Sequence, residues 1–517
     1  MRAIRNSQIA IALTGLILGQ FFAMPIAHAD PAANCRISAS PWQTVSLGFP
    51  LAPERLANIA KPKILVIPFK FKDNPTYTFT SQYKRDYEDS SANIAMFSNN
   101  KSIPEFVYLP PIETEFTNST MDALRAVQQN ANQWKDESVS TWGFVRRFIA
   151  AHDSAIDFTG VKAVILEGSS TSKNSYIAEA MMMSETAQDP YFRPVETKEG
   201  KIYNFSLLDK HPPASTITHE IMHLYGLTDL YGTNTGPANL SLMASQSMKL
   251  LSYEKWVLGW VPDSEVQCLS NPSNTTITKI EFDYSKPDQL FVLKTSGNTH
   301  YIIETAVLMG SKKLSVYSLN NELRPPIVLF PAKSGNATEG LQIDNFKAIG
   351  SQLFSADYTV LVSDIKDSSL VLNLVPNAMV QSQEFITLVK QADSLKSTYE
   401  AQAAAKANEA ALKAQADAAA KAQADAEAKA AADLKAQADA AAKAAAGKAQ
   451  VDAAAKAAAP KVFKNCAELN KVYPGGVALP GAINSGGGTK KSPKYNKALY
   501  LANKKSDRDK DGIACEK

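Results

Sequence analysis

The spacing of apolar residues changes several times along this chain, and each change marks a different kind of segment. Residues 9–27 form one apolar run, IAIALTGLILGQFFAMPIA, behind two arginines. Ala27, His28 and Ala29 follow in the small-x-small pattern of a signal-peptidase site. Residues 1–29 therefore read as a signal peptide, and the mature chain is expected outside the cell. From Asp30 onward, KILVIPFKF (Lys63 to Phe71) and VKAVILEG (Val161 to Gly168) are apolar runs of strand length. WGFVRRFIAAHD (Trp142 to Asp153) has helical spacing between them. Strands alternating with helices predict an α/β layer over the first part of residues 30–274. The texture then changes: TITKIEFDY, QLFVLKT, HYIIETAV, KLSVYSL, PIVLF, YTVLVSD and SLVLNLV are short and strand-like, separated by Gly, Pro, Asn and Ser. They predict a β-rich unit over residues 275–376, packed on the part before it.

Residues 377–460 are mostly Ala, Lys, Gln, Asp and Glu. LKAQADAAAK occurs at Leu412–Lys421 and again at Leu434–Lys443, an offset of 22 residues. Two elevens give a repeat of about 3.67 residues per turn. Acid-to-lysine pairs at i,i+4, such as Asp417/Lys421 and Asp439/Lys443, support a helix by roughly 0.2–0.5 kcal/mol each. Alanine has the highest helix propensity, so a long solvated helical spacer or coiled coil is expected, with disorder as the alternative. Ala401 to Ala459 would extend about 90 Å at ~1.5 Å per residue. The pattern leaves its oligomeric state open. Residues 461–517 regain glycine, tyrosine and two cysteines.

Composition narrows the function classes. A formal net charge of +3 over 517 residues implies no nucleic-acid partner. After the leader there is no 18-residue apolar stretch, so no transmembrane segment is expected after cleavage. The four cysteines, Cys35, Cys268, Cys466 and Cys515, suit an exported chain with two disulfides. Four cysteines allow three connectivities. Cys35–Cys268 and Cys466–Cys515 is the pairing that closes each bond within one predicted part.

The chemistry centres on THEIMHLYGLTDLY, Thr218 to Tyr231. His219 and His223 fall four apart, so a helix puts both imidazoles on one face, able to reach one metal ion. Glu220 beside them is the candidate general base, taking a proton from a metal-activated water. Gly226 lets the helix end and turn back, and Asp229 three residues later is the candidate third zinc ligand. Glu254 is the competing third ligand, and the sequence leaves that choice open. His152, His211 and His300 have no partner spacing and read as structural or surface residues.

The pattern HExxHxxGxxD resembles the metzincin-like zinc proteases, which carry a methionine turn beneath the metal. Met243 in SLMAS is the candidate for that turn. HEIMHLYGLTDLY, SLMAS and SYEKWVLGWV (Ser252 to Val261) together look like the immune inhibitor A family of secreted bacterial metalloproteases. The early strand departs from that family, reading FKFKDN where an acidic pair is common. The resemblance implies a zincin/metzincin-like catalytic domain, bound Zn2+, and protein or peptide substrates. It is specific only between Thr218 and Val261.

At the other end, Asp507, Asp509 and Asp511 alternate before Gly512, as at the start of a calcium loop. Glu516 falls at position 10 rather than 12, so the EF-hand pattern fails. DxDxDGxxCE, with FKNCAELNKVYPGGV before it, resembles the excalibur domain. That resemblance implies a small extracellular module binding Ca2+ through Asp507, Asp509, Asp511 and Glu516, and an association with the cell envelope.

The expected fold is thus α+β: a catalytic domain at 30–274, a β-rich unit at 275–376, a helical spacer at 377–460 and a disulfide-bonded calcium module at 461–517. The expected activity is that of a secreted zinc endopeptidase. The competing expectation is a surface binding or adhesin-like protein whose protease fold is retired. Cleavage preference, and whether residues 30–61 act as a propeptide, cannot be read from the sequence.

Overall fold

Six apolar residues between two lysines make β1 (Lys63–Lys70) and set the first layer, and all but the two end residues are buried. The computed structural model describes residues 32–39, 45–128, 138–173, 177–231, 239–245, 247–283, 285–286, 288–308, 311–323, 326–330, 341–343, 346–366, 368–486 and 490–517. The expected signal peptide lies outside them. The chain divides into two compact units, Met1–Ala404 and Ala405–Lys517.

In the first unit, β1 is followed by β2 (Glu105–Tyr108), β3 (Ile112–Glu113), β4 (Val161–Gly168), β5 (Ala178–Met182), a hairpin of β6 (Val195–Thr197) and β7 (Gly200–Ile202), and β8 (Asn204–Leu208). One sheet runs β2-β1-β4-β8-β5, with β3 also on β1. All of its pairs are parallel except β5 with β8. Pro68 sits inside β1, where a proline would ordinarily break the ladder. It is tolerated because the neighbouring strand is interrupted there: pairing with β2 ends at Val66 and pairing with β3 begins at Phe69. The carbonyls of Val66 and Lys70 both accept from that side, so the Pro68 nitrogen faces the gap.

A parallel strand covered on both faces needs apolar residues of both parities. Ile64, Val66, Ala163 and Ile165 face α1 (Ser81–Phe97) and α4 (Ala214–Tyr225). Leu65, Ile67, Val164 and Leu166 face the opposite core, with Met121 and Leu124 of α2 (Asn118–Gln128) and Phe144 and Phe148 of α3 (Thr141–His152). The short helix α5 (Ser252–Val257) follows α4.

The β-rich part is a two-sheet sandwich. Its strands are β9 (Val266–Ser270), β10 (Thr278–Asp283), β11 (Leu290–Lys294), β12 (His300–Leu308), β13 (Ser311–Leu319), β14 (Ile327–Leu329), β15 (Leu341–Gln342), β16 (Gln352–Phe354), β17 (Tyr358–Lys366) and β18 (Ser369–Pro376). One sheet is β14-β13-β12-β11-β9, with β15 also on β13; the other is β10-β18-β17-β16. The sandwich draws in β9 from before residue 275, because Val266 to Ser270 pair in parallel with Leu290 to Lys294. Phe291, Ile303 and Val316 point inward to Phe282, Leu370 and Leu372. The alternate residues Val292, Ile302 and Tyr317 pack with Trp256 of α5 in the same core as α4. One sheet thus serves two cores through its period of two. Cys35 bonds to Cys268 of β9.

The Ala-rich stretch forms α6 (Gln383–Ala457), a helix of 75 residues. Its first turns place Phe385 and Ala392 against the sandwich. Within the second unit, every residue from Ala405 to Val462 is exposed, as expected of a helix with no apolar stripe. The module after it contains α7 (Cys466–Val472), β19 (Val477–Ala478), β20 (Lys494–Tyr495), α8 (Lys497–Asn503) and β21 (Ile513–Ala514). Its core is small, built on Leu469, Val477, Leu499 and Tyr500. The Cys466–Cys515 disulfide supplies cross-linking that so few apolar residues cannot.

Candidate metal centres

Ile217, Ile221 and Leu224 of α4 point into the core, leaving His219 and His223 on the face one turn apart. Gly226 ends the helix at φ 121°, and Leu227 donates back to the Met222 carbonyl at 3.2 Å. A Cβ at Gly226 would meet Leu51 Cδ2 at 3.0 Å, so both conformation and space favour glycine. The reversal returns Asp229 to the histidines: its Oδ1 lies 3.2 Å from the Nε2 of His219 and 3.2 Å from that of His223. The ligand atoms of the three residues all lie within 4.8 Å of one another.

Each imidazole is oriented from behind. His219 Nδ1 faces the Leu242 carbonyl at 3.0 Å, and His223 Nδ1 faces the Leu227 carbonyl at 2.8 Å. Were a metal ion to replace the Nε2 protons, these Nδ1 contacts would keep both Nε2 lone pairs turned toward the point shared with Asp229, the arrangement of a metal-binding imidazole. Spacing fits as well. Two ligands of a tetrahedral zinc with bonds of about 2.0–2.1 Å are about 3.3 Å apart, close to both Nε2–Oδ1 distances.

The electrostatics are those of a cluster that shares charge. Burial opposes ionisation of Asp229, yet hydrogen bonds from His219 and His223 hold its carboxyl well below the ordinary range. Burial likewise disfavours the His223 imidazolium, but Asp229 and Glu220 outweigh it and hold the ring up at about 9. Glu220 is 7% exposed, and burial raises its carboxyl despite the two histidines and a hydrogen bond from the Ala180 backbone. Ala180 belongs to β5, the edge of the first sheet, so Glu220 lies between the metal-type cluster and a strand edge.

Met243 is fully buried. Its carbonyl accepts from Leu230 N–H at 2.8 Å, one residue beyond Asp229. Glu254, the competing third ligand, does not join the cluster. Its oxygens accept from the Ser241 hydroxyl at 2.9 and 2.8 Å and from Leu251 N–H at 2.7 Å, and burial pushes its carboxyl up to about 8. The helix starting at Ser252 turns Glu254 back onto its own N-terminus, which explains why it is unavailable to the histidines.

Several participants carried no sequence signal. Tyr231 lies with its ring 6.2 Å from that of His219 and its hydroxyl hydrogen-bonded to Asp229. His211 is clamped between Glu167 (3.1 Å) and Asp86 (2.8 Å) and stacked on Tyr83 at 3.8 Å. It joins α1, β4 and the approach to α4, and its partners lie far away in sequence.

In the carboxyl-terminal unit, ligand atoms of Asp507, Asp509 and Asp511 also lie within 4.8 Å of one another. Asp507 is an organiser of the turn, accepting from Lys510 N–H (2.8 Å), Gly512 N–H (3.0 Å) and the Tyr500 hydroxyl (2.6 Å). Asp511 accepts from Ile513 and Ser485 N–H groups, whereas Asp509, among the described residues, accepts from the Ser485 hydroxyl at 3.5 Å. Gly512, at φ 92°, supplies the sharp bend. Glu516 is not in the three-aspartate group. Burial and the three aspartates raise its carboxyl, and its Oε2 has no hydrogen-bond partner among the described residues.

No helix among the described residues is long and apolar enough to cross a membrane. An uncharacterized protein of Bacillus subtilis (strain 168), YhjA, is 64% identical over 58 residues, covering 11% of this chain and 65% of that protein. The chain thus spans less than two thirds of that relative. Residues 463–516 match the Excalibur calcium-binding domain, a module typical of extracellular proteins, and the Asp507, Asp509 and Asp511 group lies within that match.

Proposed function

We propose that the chain is a secreted zinc-dependent endopeptidase, with His219, His223 and Asp229 as the zinc ligands and Glu220 as general base. The observation carrying this reading is the convergence of two Nε2 atoms on one Asp229 oxygen, each at 3.2 Å, with Glu220 on the same helix. A zinc ion held there supplies Lewis acidity and a water whose pKa falls to about 7. Glu220 takes the proton during attack on the peptide carbonyl and returns it to the departing amine. Its raised pKa suits both halves of that transfer. β5 ends the sheet, so an extended peptide would add a strand at its outer edge beside Glu220. The calcium module would then retain the enzyme near the cell envelope.

The test is zinc content of the purified mature protein together with casein hydrolysis, with and without a chelator. Stoichiometric zinc and chelator-sensitive cleavage are expected. Cleavage that ignores the chelator, or none with zinc bound, rejects the assignment. The second outcome would favour the binding-protein alternative.

A further inference from the structure

Glu304 comes from β12 in the sandwich, about 80 residues beyond His223, yet it is fully buried at the start of α5. It accepts from the backbone N–H of Ser252 at 3.2 Å, from that of Tyr253 at 3.1 Å and from the Tyr317 hydroxyl at 3.0 Å. α5 in turn carries Glu254, also fully buried, which holds the Ser241 hydroxyl. Ser241 Oγ accepts from Met243 N–H at 3.0 Å and so closes the turn that contains Leu242. That turn reaches the metal-type cluster twice. The Leu242 carbonyl orients His219, and the Met243 carbonyl holds Leu230 beside Asp229.

We propose that Ser241, Glu254 and Glu304 are positioning residues for the metal centre, so that the β-sandwich is a working part of it. This rests on the zinc reading above. Backbone carbonyls orient His219 and the Asp229 loop, and a carbonyl can aim a ligand only as well as its own turn is fixed. Ser241 provides the side-chain tie of that turn, and the two glutamates connect the tie to a sheet. Buried carboxylates are retained where their hydrogen bonds are complete; here those of Glu304 fix the start of α5 and those of Glu254 reach Ser241 in the turn. Removing such outer support commonly weakens metal binding by about 10–100-fold.

The experiment uses the full-length protein with Ser241→Ala, Glu254→Gln and Glu304→Gln. Leu372→Ala, in the core between the two sandwich sheets, serves as a control that destabilises without touching the chain of bonds. Zinc affinity is measured by competition with a chromophoric chelator, and ligand geometry by the visible absorption of the cobalt-substituted protein. Ser241→Ala and Glu304→Gln are expected to weaken zinc by about 10–100-fold and shift the cobalt bands. Leu372→Ala should leave both unchanged. Should Glu304→Gln fail to fold, Ser241→Ala decides alone, because it removes one oxygen at the junction. Wild-type affinity in Ser241→Ala with unshifted cobalt bands overturns the proposal while leaving the zinc reading intact. A wild-type protein that takes up no zinc overturns both.

Discussion

The two candidate metal sites are built on opposite plans. At the first, the ligands come from eleven residues of chain, but their orientation depends on Leu242, Glu254 and β12. At the second, Asp507, Asp509 and Asp511 are organised by neighbours within the loop, by Tyr500 and by Ser485. Burial does not separate them: His223 and Asp507 are each 8% exposed, while Asp229 and Asp509 are more open. A site for a transition-metal ion can be held together beforehand by contacts between two imidazoles and one carboxylate. A cluster of aspartates repels itself until a cation arrives. The first plan favours fixed geometry for chemistry, and the second favours binding that responds to the surrounding ion concentration.

The sharpest way to break this contrast is to separate chemistry from metal binding at the first site. Glu220→Ala should lower casein hydrolysis by about 10²–10⁴-fold while zinc content stays stoichiometric, because the base is not a ligand. Loss of zinc along with activity would place Glu220 among the ligands and end the division of roles.

The next largest effect tests whether the second site depends on covalent closure. The Cys466–Cys515 bond spans 49 residues, and the chain-entropy treatment gives it about 4 kcal/mol. Replacing both cysteines by serine should unfold a Val462–Lys517 fragment at ambient temperature, read by circular dichroism. A fragment that melts as before would show that its small core suffices.

Calcium should stabilise the same fragment by about 1.4 kcal/mol at ten times the dissociation constant. Asp509→Asn is the informative variant, since Asp509 contributes little to the turn. It should reduce the calcium-induced rise in melting temperature without moving the calcium-free value. An unchanged calcium response would remove Asp509 from the ligand set.

The smallest effect concerns pH and the first unit. Burial disfavours the His211 imidazolium, but Glu167 and Asp86 more than offset this and raise its pKa above 6.5. A group raised on folding stabilises fully below its unfolded pKa, and that contribution is lost as pH rises through the folded value. Denaturant unfolding should therefore show wild type exceeding His211→Gln most on the acid side of neutrality, with the gap narrowing at alkaline pH. An equal gap at both would assign His211 a role by packing alone.

What was legible in the sequence was local. His219, Glu220, His223, Gly226 and Asp229 declare themselves because helix period and one reversal relate them, and DxDxDG does so through alternation. The sandwich strands were legible as short strand-like runs separated by Gly, Pro, Asn and Ser, and α6 from alanine and paired charges. The supports were not. Nothing near Glu304 marks it as the partner of Ser252, since that pairing exists only after a sheet has docked on α5. Glu254 was ambiguous for the same reason: its chemistry suits a ligand, and only its closeness to Leu251 N–H and Ser241 decides otherwise. β5 was missed because AEAMM, an edge strand, has neither clean alternation nor a full apolar run.

The Cys35–Cys268 bond encloses the whole first sheet, α4 and the turn at Met243 within a ring of chain spanning 233 residues. A ring of that kind tolerates nicking. One cut anywhere in the loops between the two cysteines leaves two fragments that remain covalently joined, and the cut shows on a gel only after reduction. For a protein expected to work outside the cell, the bond preserves molecular continuity after a first cleavage.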